Sequence, residues 1–262
     1  MGKRIINDCN TLKGNIIGFN NIGLLAFENG IESSKNVILI GGLGDTMLSL
    51  SFSKGLDELC RKNNYKFIIP QLRSQPNFRM HTVDEDIEDI YAIVNLLEGD
   101  TVLIGHSTGC QDALLYLEKH GSRNIKGIIL QAPVSDIECL SPKAIRKNAK
   151  IMSNFDQSDS LYAEICGKIW LKERFESLYL RNGREDLFSS YLEDSCYTKW
   201  RNLGTRILSV VSGNDEFCTK DMTSKLELMG IVKVIDGADH GLTQESSAET
   251  FVSMVSEFLK EV

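Results

Sequence analysis

Between Val102 and Leu117 an apolar run rich in β-branched residues stops at Gly105-His106-Ser107-Thr108-Gly109. A segment with apolar residues at helical spacing (Cys110, Ala113, Leu114, Leu117) follows at once. The pattern predicts a strand, a sharp turn and a helix, with Ser107 at the apex. In that context a G-x-S-x-G pentapeptide is the signature of a nucleophile elbow. Gly105 and Gly109 flank Ser107 where strand and helix backbones come close and leave little room for Cβ atoms. The bland alternative is an ordinary β–α turn that contains serine and glycine by chance. Partners for Ser107 elsewhere in the chain weigh against it.

The rest of the chain supplies the matching frame. Residues 14–18 and 22–27 form two short strands around Asn20-Asn21, a hairpin at a sheet edge. Asn36 to Ile40 is a buried strand entering the turn Gly41-Gly42-Leu43-Gly44-Asp45. A helix near 52–63, a strand at 66–70 and a polar loop at 71–81 follow. Thr82-Val83-Asp84-Glu85 opens a helix with capping-box spacing, and Val83, Ile87, Ile90, Val94 and Leu97 form its buried face. Its acidic start (Asp84, Glu85, Asp86, Glu88, Asp89) suits the helix dipole and is expected to be solvated; a metal site is the sharper alternative. Strands at 101–105, 125–130, 206–211 and 231–235, a helix near 219–229 and a last amphipathic helix through Phe251, Val255, Phe258 and Leu259 complete the alternation. Such alternation implies one α/β domain over residues 1–262, a mainly parallel sheet covered by helices on both faces. The alternation breaks at about 136–203. That stretch is charged, aromatic and mostly helical in composition, and it is expected to lie as a cap over the strands' C-terminal ends.

A serine hydroxyl needs a base to take its proton and an acid to orient that base. The chain has only 4 histidines. His106 sits inside the elbow beside Ser107, His81 precedes a helix and His120 ends one. His240 remains, in a loop between a strand and the last helix, where it can reach the elbow. Asp215, in the Ser212-Gly213-Asn214-Asp215 turn after a strand, is the expected acid; Asp136, just after strand 125–130, is its rival. Asp239 is adjacent to His240 and geometrically disfavoured. The order Ser…Asp…His is that of α/β hydrolases. The oxyanion of a tetrahedral intermediate needs two donors, expected from the Thr108 N–H and the Leu43 N–H. The glycine turn at 41–44 could instead cradle a phosphate, but no P-loop lysine follows it. Cys110 and Cys218 are read as packing groups rather than reactive thiols. The basic run Lys143, Arg146, Lys147, Lys150 is read as a solvated helix face, with an anionic substrate as the alternative.

Bulk properties narrow the class. A net charge of −7 argues against general nucleic-acid binding. The 7 cysteines are scattered and lack C-x-x-C pairs, so they suggest neither a disulfide framework nor a zinc site, and a reducing compartment is expected. Met1 to Asp8 has a basic start with no apolar stretch behind it, and Ile6 stands where a myristoylation signal carries Ser or Thr. No apolar run approaches the ~18 residues of a membrane span. The expected location is the cytoplasm.

The segments Leu103 to Asp112, Gly41 to Asp45 and Gln131-Ala132-Pro133-Val134-Ser135-Asp136 together resemble an uncharacterised α/β-hydrolase family of fungi and plants that includes the fungal intracellular siderophore esterases. The resemblance covers about 36–137 and 206–242. It implies an α/β-hydrolase fold with Ser107 as nucleophile, Asp215 as acid and His240 as base. The loop Pro76 to His81 and the insertion at 138–203 depart from the family pattern, and both should border the substrate, so siderophore specificity does not carry over. The expectation is a serine hydrolase of small-molecule esters, with thioester or amide cleavage open to the same groups and no metal or organic cofactor. The contrasting expectation is a catalytically silent interaction module on a hydrolase scaffold. An intact triad weighs against that, and no protein partner is indicated.

Overall fold

The computed structural model describes residues 11–155, 160–165, 167–218 and 222–262. The basic start at 1–8, Cys9, Cys166 and the first turn expected at 219–221 lie outside them. The chain opens with the hairpin β1 (Asn15–Phe19) and β2 (Leu24–Glu28), then β3 (Lys35–Ile40), α1 (Ser53–Lys62) and β4 (Lys66–Pro70). A 3-10 turn at Phe78–Met80 leads to α2 (Val83–Val94), β5 (Asp100–His106), α3 (Gly109–His120) and β6 (Ile125–Gln131). The inserted stretch holds α4 (Pro142–Phe155), β7 (Tyr162–Ile165), β8 (Lys168–Leu171), α5 (Lys172–Tyr179) and α6 (Asp194–Arg201). The chain closes with β9 (Arg206–Ser212), α7 (Met222–Glu227), β10 (Ile231–Ile235) and α8 (Glu245–Phe258).

Eight strands form one sheet in the order β1-β2-β4-β3-β5-β6-β9-β10, antiparallel at β1·β2·β4 and parallel beyond. The strands' two-residue period sorts their side chains onto two faces. Ile38, Leu103, Ile128 and Leu130 face a core with α2, α3, α6 and α7, whereas Leu39, Ile104, Ile129 and Leu208 face one with α1 and α8. Burial on both sides is why these strands carry continuous apolar runs rather than alternation.

The α2 start forms as the spacing predicts. Thr82 Oγ1 accepts from Glu85 N–H, and the Glu85 carboxylate accepts from Thr82 N–H. The acidic cluster is only partly solvated, which corrects the expectation. Asp86 and Asp89 are buried. Asp89 accepts a forked contact from the Arg73 guanidinium, and Asp86 Oδ2 lies 3.5 Å from Nη1 of buried Arg174. Sequence periodicity places these two carboxylates on the packed face of α2; half-buried Arg73 and fully buried Arg174 complete them.

The insertion also differs from its composition. Beside its helices it carries the antiparallel hairpin β7·β8. A small core of Met152, Ile165, Trp170, Phe175 and Leu178 packs against Leu43 and Phe78. Its C-terminal part is core rather than cap: Phe188, Tyr197 and Trp200 are buried in the cluster shared with α3 and α7. Lys143, Arg146, Lys147 and Lys150 are exposed on α4.

Candidate active site

β5 ends at His106, and Ser107 stands between it and α3 with φ 54°. A side chain other than glycine in that region is strained, and strain of this kind persists where the surroundings over-determine it. Here strand and helix leave no slack. A Cβ on Gly105 would come within 2.3 Å of the Gly109 carbonyl oxygen, and one on Gly109 within 2.4 Å of that of Ile40. The elbow's glycines are therefore packing requirements.

The turn after β3 closes against the elbow from the other side. A Cβ on Gly42 would lie 2.9 Å from Ser107 Cβ. Asp45 Oδ2 accepts the Gly42 N–H at 2.7 Å, and Gln75 Nε2 donates to the Gly41 carbonyl at 3.0 Å. That leaves the Leu43 N–H, inside the turn that Gly42 and Asp45 close, and the Thr108 N–H at the start of α3. Among the described residues neither has a protein acceptor.

The remaining candidates arrive on loops after β9 and β10. Gly213 N–H and Asn214 N–H donate to the carbonyls of Ile235 and Ala238, so the two loops are stitched together. His240 Nδ1 lies 2.7 Å from Asp215 Oδ2, with the aspartate side chain 1% exposed and the imidazole 21%. Asp215 Oδ1 accepts the Phe217 N–H at 2.9 Å, so both carboxylate oxygens are engaged. Asp239 turns away to accept from Thr243. Asp136, the rival acid, accepts from Gln111 Nε2 at 3.1 Å instead of meeting the imidazole. Burial, then the nearby Glu185, pushes its carboxyl up to about 7 against the pull of Arg174. His81 and His120 lie elsewhere, 3.4 Å from Glu85 and from Glu88 respectively.

Ser107, His240, Leu43, Gly42 and Asp136 line one cleft of about 360 Å³, whose wall also holds Asp45 and Phe217. Among the described residues its lining has two carboxyl groups, Asp45 and Asp136, and no Lys or Arg. The sequence reading missed Asp45, Phe217 and Gln131. Asp45 directly follows the glycine turn, and Gln131 is a lone amide ending an apolar strand; either could have been noticed. Phe217, whose ring stands edge-on to His240 at 5.0 Å, carries no such signal. Cys110 is a packing group: its thiol contacts the Gly105 and Gln131 carbonyls, and burial holds it well above the ordinary thiol range. Burial and Asp215 also raise Cys218.

A family model described as a protein of unknown function (DUF1749) matches residues 20–260. The chain belongs to this family. The UPF0613 protein PB24D3.06c of Schizosaccharomyces pombe is 23% identical, over 90% of this chain and 92% of its own. Among solved structures, the siderophore hydrolase EstB of Aspergillus fumigatus superposes with TM-score 0.73 at 21% identity, covering 97% of this chain and 99% of its own. Mouse alpha/beta hydrolase domain-containing protein 10 gives 0.68 at 14% identity over 95% and 99%. Est1E of Butyrivibrio proteoclasticus gives 0.64 at 14% identity over 94% and 98%. The fold is that of the α/β hydrolases, as the sequence led us to expect.

Proposed function

We propose that this chain is a serine esterase acting on a small-molecule ester through an acyl-enzyme. Ser107 Oγ attacks the carbonyl carbon while His240 takes its proton. Nδ1 of that imidazole is held by Asp215, so Nε2 is the working nitrogen, and the buried carboxylate stabilises the imidazolium that forms. The Leu43 and Thr108 amides receive the oxyanion. His240 then protonates the departing alkoxide, and water attacks the acyl-enzyme by the same steps in reverse. Thioesters and amides are open to the same groups, and the scheme calls on no metal or organic cofactor.

The observation that carries this reading is the 2.7 Å His240–Asp215 contact at the wall of the cleft that holds Ser107. We place the protein in the cytoplasm, in keeping with the lack of any disulfide among the described cysteines. Among the described residues no helix is long and apolar enough to cross a membrane. A panel of p-nitrophenyl esters of graded acyl length tests the activity. Wild type is expected to turn over at least the short members, and His240→Ala to lose orders of magnitude, leaving roughly 10³–10⁴ over water. Near-normal turnover in His240→Ala would show that another group is the base.

A further inference from the structure

One buried amide residue touches the three segments that carry Ser107, Asp215 and His240. Gln131 is fully buried at the end of β6. Its main-chain carbonyl accepts the Ser107 N–H at 3.0 Å. Its side-chain Nε2 donates to the Ser212 hydroxyl and to the main-chain carbonyl of His240, both at 3.3 Å. Its Oε1 meets His106 Nδ1. The partners fix the orientation of this amide: a carbonyl only accepts, so the nitrogen faces His240 and the oxygen faces His106. His106 Nδ1 therefore carries the hydrogen.

The His106 ring in turn supports the other histidine. Its centroid lies 5.1 Å from that of His240, with Phe52 edge-on behind it at 6.0 Å. Burial, and then the neighbouring His240, push its pKa down to about 4, so near neutral pH it is an uncharged platform. His240 is thus held between His106 and Phe217. Asp215 restrains the tip of the ring but not the backbone that carries it; the Gln131 amide restrains the backbone.

We propose that Gln131 and His106 are positioning residues of the active site: the Gln131 amide ties the His240 backbone to the elbow strand and fixes the tautomer of the His106 ring on which His240 rests. This rests on the serine-esterase reading. The β5, β6 and β9 strand ends lie side by side, and the amide crosses from one to the next, so loss of the bridge frees the base to move relative to Ser107. Misplacement of a catalytic group by about 1 Å costs on the order of 10² in rate.

Two substitutions separate the bonds. Gln131→Met keeps the length and removes donor and acceptor; Gln131→Glu keeps the acceptor for His106 and removes the donor to His240. With p-nitrophenyl butyrate as probe, both are expected to lose on the order of 10²-fold in kcat at unchanged KM, with a native-like melting transition. His106→Asn, whose amide can still donate to Gln131, should retain clearly more activity than His106→Leu. If Gln131→Met does not fold, the Glu variant and the His106 pair carry the test. Wild-type kcat in Gln131→Glu would overturn the donor's role. Equal impairment of His106→Asn and His106→Leu would overturn the role of the His106–Gln131 bond, and wild-type kcat in His106→Leu would overturn that of the ring platform. A folded wild type inert to both the ester and a fluorophosphonate would instead refute the esterase reading itself, before any variant is made.

Discussion

Gly42 has no side chain because Ser107 occupies the place where one would go. An added methyl would stand 2.9 Å from Ser107 Cβ and 3.1 Å from the His106 carbonyl oxygen, against the rigid elbow. The turn is the part that can yield, and it carries the Leu43 amide away with it. Gly42→Ala is therefore expected to cost about 10²–10³ in kcat, the usual effect of one lost oxyanion donor, with little change in melting temperature. Asp136 gives a second residue-level expectation, this time in stability. Its folded pKa of about 7 lies above the ordinary carboxyl value of 3.8, so between those pH values the native state binds the extra proton. Stability drawn from this group is present in full below pH 3.8 and is lost as pH rises through about 7. His106, lowered from 6.5 to about 4, acts with the opposite sign between those values, so the effect of Asp136 is read as a difference. Asp136→Asn should gain melting temperature over wild type as pH climbs from 4 to 8. A difference that stays flat or falls across this range would contradict the assignment.

At the scale of elements, the parallel strands and the elbow were legible because burial on two faces writes a continuous apolar run into the sequence, and a sharp β–α turn demands small residues on either side of its apex. The α2 start was legible for the same local reason, a capping box. What local pattern does not encode is which distant group meets a buried charge. Asp86 and Asp89 look like any acidic helix start, yet one faces Arg174 of the insertion and the other Arg73. The β7·β8 hairpin was hidden likewise: Tyr162–Ile165 and Lys168–Leu171 are four residues each, too short for a period to show. Arg174 ties the insertion to the body of the fold, with its guanidinium 3.5 Å from Asp86 and 3.2 Å from Glu185, all three buried. Arg174→Met would strand two buried carboxylates, and its expected cost is about 3–5 kcal/mol by urea denaturation. A cost under about 1 kcal/mol, the range of exposed pairs, would mean that water already reaches the site.

For the molecule as a whole, Ser107 and the Asp215–His240 pair lie more than a hundred residues apart in the chain, brought together where the loops leave the C-terminal ends of β5, β9 and β10. The histidines were few enough for elimination to single out His240 as the candidate, the turn after β9 pointed to Asp215, and the two side chains lie 2.7 Å apart. The substrate walls were not legible, since they come from Asp45, Phe217 and Asp136 meeting across loops whose shape depends on the packed insertion. Those walls carry two carboxyl groups on a chain of net charge −7, so above about pH 7, where Asp136 ionises, long-range and local fields share a sign. Neutral esters should show a higher kcat/KM than hemisuccinates of matched length, with the gap narrowing as salt is added. Equal values at low salt would show that the leaving group and acyl chain do not meet these walls. The central claim is that Ser107 is a nucleophile activated by His240 and Asp215. Intact-mass measurement after exposure to a fluorophosphonate tests it most directly. One phosphonyl adduct on Ser107 is expected in wild type, none in Ser107→Ala, and strongly slowed labelling in His240→Ala. An unlabelled, fully folded wild type, or an adduct that survives Ser107→Ala, would contradict it.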